Sequence, residues 1–151
     1  MDAVQLLTED HEQVRQLFEQ YEQLVSSDAD AQEKQELAEQ ICLMLTVHAD
    51  LEEELFYPAA RDALDEQDLL DEAQVEHASA RDLIEQIQEM DPTEDLYDAK
   101  VKVLGEYVNH HVQEEENELF PKIQDAGIDL EALGEELATR KQELMEEMGA
   151  E

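Results

Sequence analysis

Two stretches of this chain end in nearly the same way. HADLEEELFYP runs from His48 to Pro58, and HVQEEENELFP runs from His111 to Pro121. Aligned on their prolines, they superpose His48 on His111 and Glu52 on Glu115. Each has one further histidine upstream: His11 precedes His48 by 37 residues, and His77 precedes His111 by 34. The chain therefore reads as two copies of one helical hairpin. Each copy supplies a histidine from its first helix and a His-x-x-x-Glu from its second. Two such hairpins packed antiparallel bring six polar side chains to one level, which constrains the fold more tightly than residue propensities do.

The apolar pattern around these residues has the helical period. Helix one is expected from about Asp2 to about Val25, with Val4, Leu7, His11, Val14, Phe18, Tyr21 and Val25 on one stripe. Turn formers from Ser26 to Asp30 break it. Helix two is expected from about Ala31 to Phe56, with a stripe of Leu37, Ile41, Met44, His48, Leu51 or Glu52, and Leu55. Pro58 is expected to end it, because the residue before a proline resists the helical region. A partly helical connector leads to helix three, about Asp68 to Met90, with Leu70, Ala73, His77, Ala80, Ile84 and Ile87 inward. Thr93 is the expected N-cap of helix four. That helix runs from about Glu94 to Phe120, with Val101, Leu104, Val108, His111 and Glu115 inward, and Pro121 is expected to end it. The resulting fold class is all-α: an up-and-down antiparallel four-helix bundle, about residues 2–121, with an additional C-terminal helix, about 129–148. The last helix is expected to dock across the bundle or to pair with another chain. All of residues 1–151 read as one domain.

One helical turn separates residues i and i+4, so each His-x-x-x-Glu sets an imidazole beside a carboxylate on one face. Four imidazoles and two carboxylates converging inside a helical bundle describe a buried dinuclear metal site. The expected metal ligands are His11, His48, Glu52, His77, His111 and Glu115, with Glu52 and Glu115 placed to bridge two ions. Nitrogen and oxygen donors of this kind suit iron, manganese and zinc. Buried without a metal, six polar groups would each need another partner. Glutamate is abundant here, so a single His-x-x-x-Glu means little; the repeated pair on inward stripes carries the argument. Ferritin-like carboxylate sites use Glu-x-x-His, and no histidine here has a glutamate three residues before it. Of the remaining candidates, His110 is expected to flank the core or meet solvent. Glu53, Glu76 and Glu114 are candidate supplementary carboxylates for the site, with a solvated face the first expectation for each. Core packing is the first expectation for Tyr57, Tyr97 and Tyr107.

Charge and composition exclude other classes. The chain holds 43 acidic and 9 basic residues, a formal net charge of −34. Such a surface repels nucleic acid and anionic membrane, both of which are bound through Lys and Arg. It suits a protein kept soluble by a solvated acidic face, and also one adapted to high salt. Apolar residues make up 42%, enough for a core, and the scarcity of Gly and Pro favours helix. A single cysteine, Cys42, excludes an internal disulfide and a thiolate cluster, and its apolar neighbours suggest a small buried hydrophobe. The N-terminal MDAVQLLTED lacks the basic and apolar regions of a signal peptide, and no apolar run approaches a membrane span. The expected location is cytoplasmic, without membrane or nucleic-acid partners.

With these residues in place, the chain resembles the hemerythrin-like, HHE cation-binding domain family, over about residues 3 to 122. The motifs that carry the resemblance are His11, His48-x-x-x-Glu52 running into EEELFYP, His77, and His111-x-x-x-Glu115 running into ENELFPK. It implies an up-and-down four-helix bundle holding two iron ions, ligated by the four histidines and bridged by Glu52 and Glu115. Oxygen-carrying members have a second histidine one turn away on helix three. Here those positions are Ala73 and Arg81, so the pattern resembles the HHE subgroup, with a coordination position left open or filled by another carboxylate.

The functional expectation is a non-haem di-iron protein that senses, stores or reacts with iron, dioxygen, peroxide or nitric oxide. Two alternatives are an enzyme consuming peroxide or nitric oxide, and a metal-free acidic helical module. Because ligating histidine must be neutral, loading is expected to weaken as pH falls toward and below about 6.5.

Overall fold

A computed structural model of the chain describes residues 1–149. Among these residues every regular element is helical, with no strand. The elements are α1 (Ala3–Ser26), α2 (Ala31–Leu51), α3 (Tyr57–Ala63), α4 (Gln67–Glu89), α5 (Tyr97–Glu114), α6 (Phe120–Asp125) and α7 (Leu130–Gly149). Two π-helical segments join them without a break: Glu52–Phe56 between α2 and α3, and Glu115–Leu119 between α5 and α6.

Local chemistry sets most of the ends. Asp2 accepts a hydrogen bond from the Gln5 amide, and Gln5 answers with its side chain on the Asp2 amide, so the two close a capping box on α1. Asp28 takes a left-handed conformation (φ 57°) in the turn after α1, a region that Asp tolerates better than most residues. Asp30 then caps α2 through the Glu33 amide at 2.9 Å. Thr93 does not cap the next helix. Its amide and hydroxyl both donate to Asp91 Oδ1, and α5 starts only at Tyr97. The Asp91 carboxylate competes successfully for Thr93 inside the turn.

The prolines do not end their helices. Pro58 and Pro121 lie in the first turns of α3 and α6, and those helices run on to Ala63 and Asp125. A proline inside an α-helix loses a hydrogen bond and strikes the carbonyl four residues back. The π turn relieves this: the Tyr57 amide donates to the Glu52 carbonyl and the Phe120 amide to the Glu115 carbonyl, each five residues back. Each π segment begins on one of the two predicted bridging glutamates.

Helix α1 packs against α2, α5 and α7, and α4 packs against α5 and α2. Two apolar clusters fill the interior. One gathers Leu7, Leu51, Phe56, Leu70, Leu119, Phe120, Leu133 and Leu137, among others. The other gathers Leu17, Tyr21, Ile41, Cys42, Ile84, Tyr97 and Leu104. Along α1 and α4 the histidines fall between them, with Leu7 and Leu17 on either side of His11, and Leu70 and Ile84 on either side of His77. The expected stripe of α1 shifts at its end: Leu17 is buried, Phe18 half-buried and Val25 exposed. Where α2 meets the first π segment, both Leu51 and Glu52 are fully buried, because the π turn widens the inward face. Helix α7 docks on its own chain, along α1, α2 and the first π segment. Gly134 permits this approach, since a Cβ there would strike the backbone of Met1 and Asp2. No helix among the described residues is long and apolar enough to cross a membrane.

Candidate metal centre

The six predicted ligands come together. His11, His48, His77, Glu52 and Glu115 are buried and His111 is nearly so. They form two sets of four. His11, His48, Glu52 and Glu115 have ligand atoms within 4.8 Å of one another, and so do His77, His111, Glu52 and Glu115. Each hairpin thus gives one set its two histidines, and both glutamates belong to both sets. Glu115 turns Oε1 to His11 Nε2 at 3.2 Å and Oε2 to His111 Nε2 at 3.2 Å. Glu52 Oε1 lies 3.3 Å from His48 Nε2 and 3.1 Å from His77 Nε2.

All four rings point Nε2 inward and give Nδ1 to a carboxylate. The partners are Glu116 for His11 (2.7 Å), Asp10 for His48 (3.1 Å), Glu53 for His77 (3.1 Å) and Glu76 for His111 (2.7 Å). A carboxylate on Nδ1 fixes the tautomer that leaves Nε2 free for a metal and sets the ring's orientation. The hairpin repeat continues into these partners. Asp10 precedes His11 as Glu76 precedes His77, and Glu116 follows Glu115 as Glu53 follows Glu52. Sequence reasoning missed Asp10 and Glu116 and expected Glu53 and Glu76 on solvated faces. Extending the alignment by one residue on either side of each ligand would have found all four. Glu114 instead pairs with His110 at 2.8 Å on the surface, where the His110 side chain is 67% exposed.

The repeat differs at one atom that matters. Proline alignment matches Tyr57 with Phe120. Phe120 stacks on His11 with ring centroids 5.8 Å apart, and Tyr57 stacks on His77 at 5.3 Å. The Tyr57 hydroxyl lies 3.2 Å from Glu52, 3.3 Å from His77 Nε2 and 3.2 Å from His111 Nε2, and it donates to Glu115. Tyr57 therefore belongs to the site rather than to core packing alone. Tyr97 is buried in the apolar cluster with Cys42, and Tyr107 is exposed. An apolar cavity of about 50 Å³ borders all four histidines, walled by Val14, Leu45, Ile84 and Val108.

The electrostatics fit a cation. Burial opposes charge on His48, but Glu52 and Asp10 outweigh it and raise the imidazole to about 10. Burial likewise opposes charge on His111, and Glu115 and Glu52 raise it to about 12. Burial pushes the Glu52 carboxyl up, yet His48 and the other neighbours hold it well below the usual carboxylate range. Burial, with the charges of Glu115 and Glu52, pushes the Tyr57 phenol well above its ordinary value. Glu52 Oε2 and Glu115 Oε1 are buried and accept no hydrogen bond, the latter because its 3.2 Å approach to His11 Nε2 is not aligned for one, and each such atom costs about 1–3 kcal/mol. His11 Nε2 and His48 Nε2 face each other at 3.2 Å, which a neutral pair with both Nδ1 atoms protonated cannot satisfy. Cations between the two glutamates would satisfy all of these atoms together.

The family model for the hemerythrin HHE cation-binding domain matches residues 2–123. The chain belongs to this family. Its relatives include a protein from Nostoc sp. described as a DNA nickase, 34% identical over 125 residues. That alignment covers 83% of this chain and 34% of the relative, so the chain spans about a third of the relative's length. Among solved structures, it resembles a hemerythrin HHE cation-binding domain-containing protein from Mycobacterium kansasii, with a TM-score of 0.79 and 23% identity. That match covers 100% of this chain and 95% of the other, and at this identity it speaks for the all-helical fold.

Proposed function

We propose that this HHE protein binds two iron ions, one between His11 and His48 and one between His77 and His111, with Glu52 and Glu115 shared. At that centre it senses, stores or reacts with iron, dioxygen, peroxide or nitric oxide. The frame is an up-and-down antiparallel four-helix bundle carrying α7, and the setting is the cytoplasm. The observation that carries the reading is the pair of four-ligand sets sharing two buried carboxylates, each with an unpartnered oxygen. The donor set also suits zinc and manganese, and the choice of iron rests on family membership. A bound iron pair supplies an electron reservoir and an electrophilic centre for a small ligand.

The chain's own residues do the positioning. Asp10, Glu53, Glu76 and Glu116 orient the imidazoles. The Tyr57 hydroxyl lies within 3.3 Å of Glu52, His77 Nε2 and His111 Nε2, so it would serve as an additional ligand in the His77/His111 half. The apolar cavity beside the histidines excludes water and admits a small uncharged molecule. The nickase activity by which the Nostoc relative is described is not carried over, because a chain with 43 acidic and 9 basic residues repels a phosphate backbone.

The test is a metal count on protein loaded with ferrous iron without chelators, with anomalous scattering to place the ions. Two irons per chain at the two histidine pairs is the expected result, and substantially fewer than two overturns the reading. Iron should also raise the melting temperature of the parent, because a ligand of the native state stabilises it. His48→Ala should lose most of that gain; no gain from iron in either protein would favour the metal-free helical module.

A further inference from the structure

Helix α7 begins at Leu130, beyond residues 2–123 that match the family model, yet it reaches the metal centre. Lys141 donates from Nζ to Asp10 Oδ1 at 2.6 Å, while Asp10 Oδ2 accepts from His48 Nδ1 at 3.1 Å. Asp10 is 3% exposed, so each oxygen of a buried carboxylate has one partner. Turning the carboxylate would strand both. We propose that Lys141 is a positioning residue for the metal centre: through Asp10 and His48, docking of α7 and loading of the His11/His48 half are coupled. This rests on the metal reading above.

Three further observations support it. First, α7 is held in register, by Gly134 against the start of α1 and by Arg140 on Glu54 of the first π segment at 3.1 Å. Second, its buried Leu133, Leu137 and Leu144 share one apolar cluster with Leu7 and Leu51, each one turn or less from a histidine or bridging glutamate. A shift of α7 therefore moves Lys141 and the packing beneath the site together. Third, α7 supplies the cation in only one half among the described residues; in the other, Arg81 of α4 donates to Glu53 Oε2 at 2.6 Å, the oxygen that faces His77 Nδ1 at 3.1 Å. Glu76, the counterpart of Asp10, turns its second oxygen to the exposed His110 at 3.9 Å, with no α7 residue on it. The coupling to α7 is confined to one of the two half-sites. Binding linkage is reciprocal: if docked α7 tightens metal binding, bound metal tightens α7 docking by the same factor.

The experiment uses the full chain and Zn(II), a redox-silent probe, titrated in competition with a chromogenic chelator. Lys141→Met keeps the aliphatic stem and removes the donor; Lys141→Arg keeps a cation that can reach Asp10. In the parent, two zinc ions bind and zinc slows amide exchange along α7. Lys141→Met should weaken one of the two sites by about tenfold, leave the other unchanged, and lose the zinc effect on α7. Lys141→Arg should recover most of both. Melting in chelator shows whether Lys141→Met is folded, and Asp10→Asn, which keeps an acceptor for His48, should reproduce the one-site defect. The inference is overturned if Lys141→Met binds both ions like the parent with zinc still protecting α7. It is equally overturned if both sites weaken alike and Lys141→Arg is no better, since that marks a purely structural role. A parent that binds neither zinc nor iron overturns the metal reading itself, a result distinct from either of these.

Discussion

At the residue scale, a metal bound at this centre would compete with protons for the same inward nitrogens. Burial works against charge on His48, and Glu52 and Asp10 still lift it to about 10; His111 is lifted to about 12 against the same opposition. Both exceed the ordinary 6.5, so proton competition with metal extends well above the window near 6.5 expected from charge alone. The sign follows from linkage. A folded-state value above the unfolded one adds stability that is complete below 6.5 and lost as pH rises through about 10. In chelator, the melting temperature should therefore fall between pH 6.5 and 10. Metal-loaded protein should show the opposite slope, and parallel slopes would contradict the competition. Tyr57 gives a second prediction. Metal-free, its phenol stays protonated, but a bound cation inverts that preference. Ferric protein should show a visible phenolate-to-iron absorption that Tyr57→Phe removes while most of the bound metal stays, and Phe120→Tyr should add a second such component. The convergence of the six side chains was legible because the repeat presents each motif twice. Tyr57 was not, because its signal is a mismatch in the alignment, one hydroxyl against Phe120, and whether it packs or ligates depends on where the π turn aims it.

At the scale of elements, helix existence and type were legible from the apolar period, and most boundaries fell within a few residues. The ends at Pro58 and Pro121 were not. Proline rules assume an α-helical hydrogen-bond pattern, and a π turn suspends that assumption by moving the acceptor to the fifth residue back. The same extra residue turns Leu51, Glu52, Phe56 and Tyr57 all inward, which an unbroken α-helix cannot do at about 100° per residue. The two prolines thus help to hold the widened turns that begin on Glu52 and Glu115. Replacing both, Pro58→Ala with Pro121→Ala, should leave helix content by circular dichroism near the parent's. It should weaken metal binding by about an order of magnitude, the scale seen when support around a metal site is lost. Unchanged affinity would show that packing alone holds the π turns.

At the scale of the whole molecule, a formal net charge of −34 on 151 residues is a load that the fold carries everywhere. Repulsion among like charges favours expansion, and salt screens it, with a Debye length of about 10 Å at 0.1 M and about 3 Å at 1 M. The urea midpoint of the metal-free protein should rise between those salt concentrations, and a flat or falling midpoint would remove self-repulsion as a limit on stability. Within that charge the repeat also fixes a division of labour. Residues before the Leu64–Glu66 turn supply both histidines of one four-residue set and one shared glutamate, and residues after it supply the same for the other. Neither half completes a set alone. Cut at that turn, the chain would become two fragments whose reunion is written in metal: their association would follow the concentration of free divalent ions, and a chelator would part them.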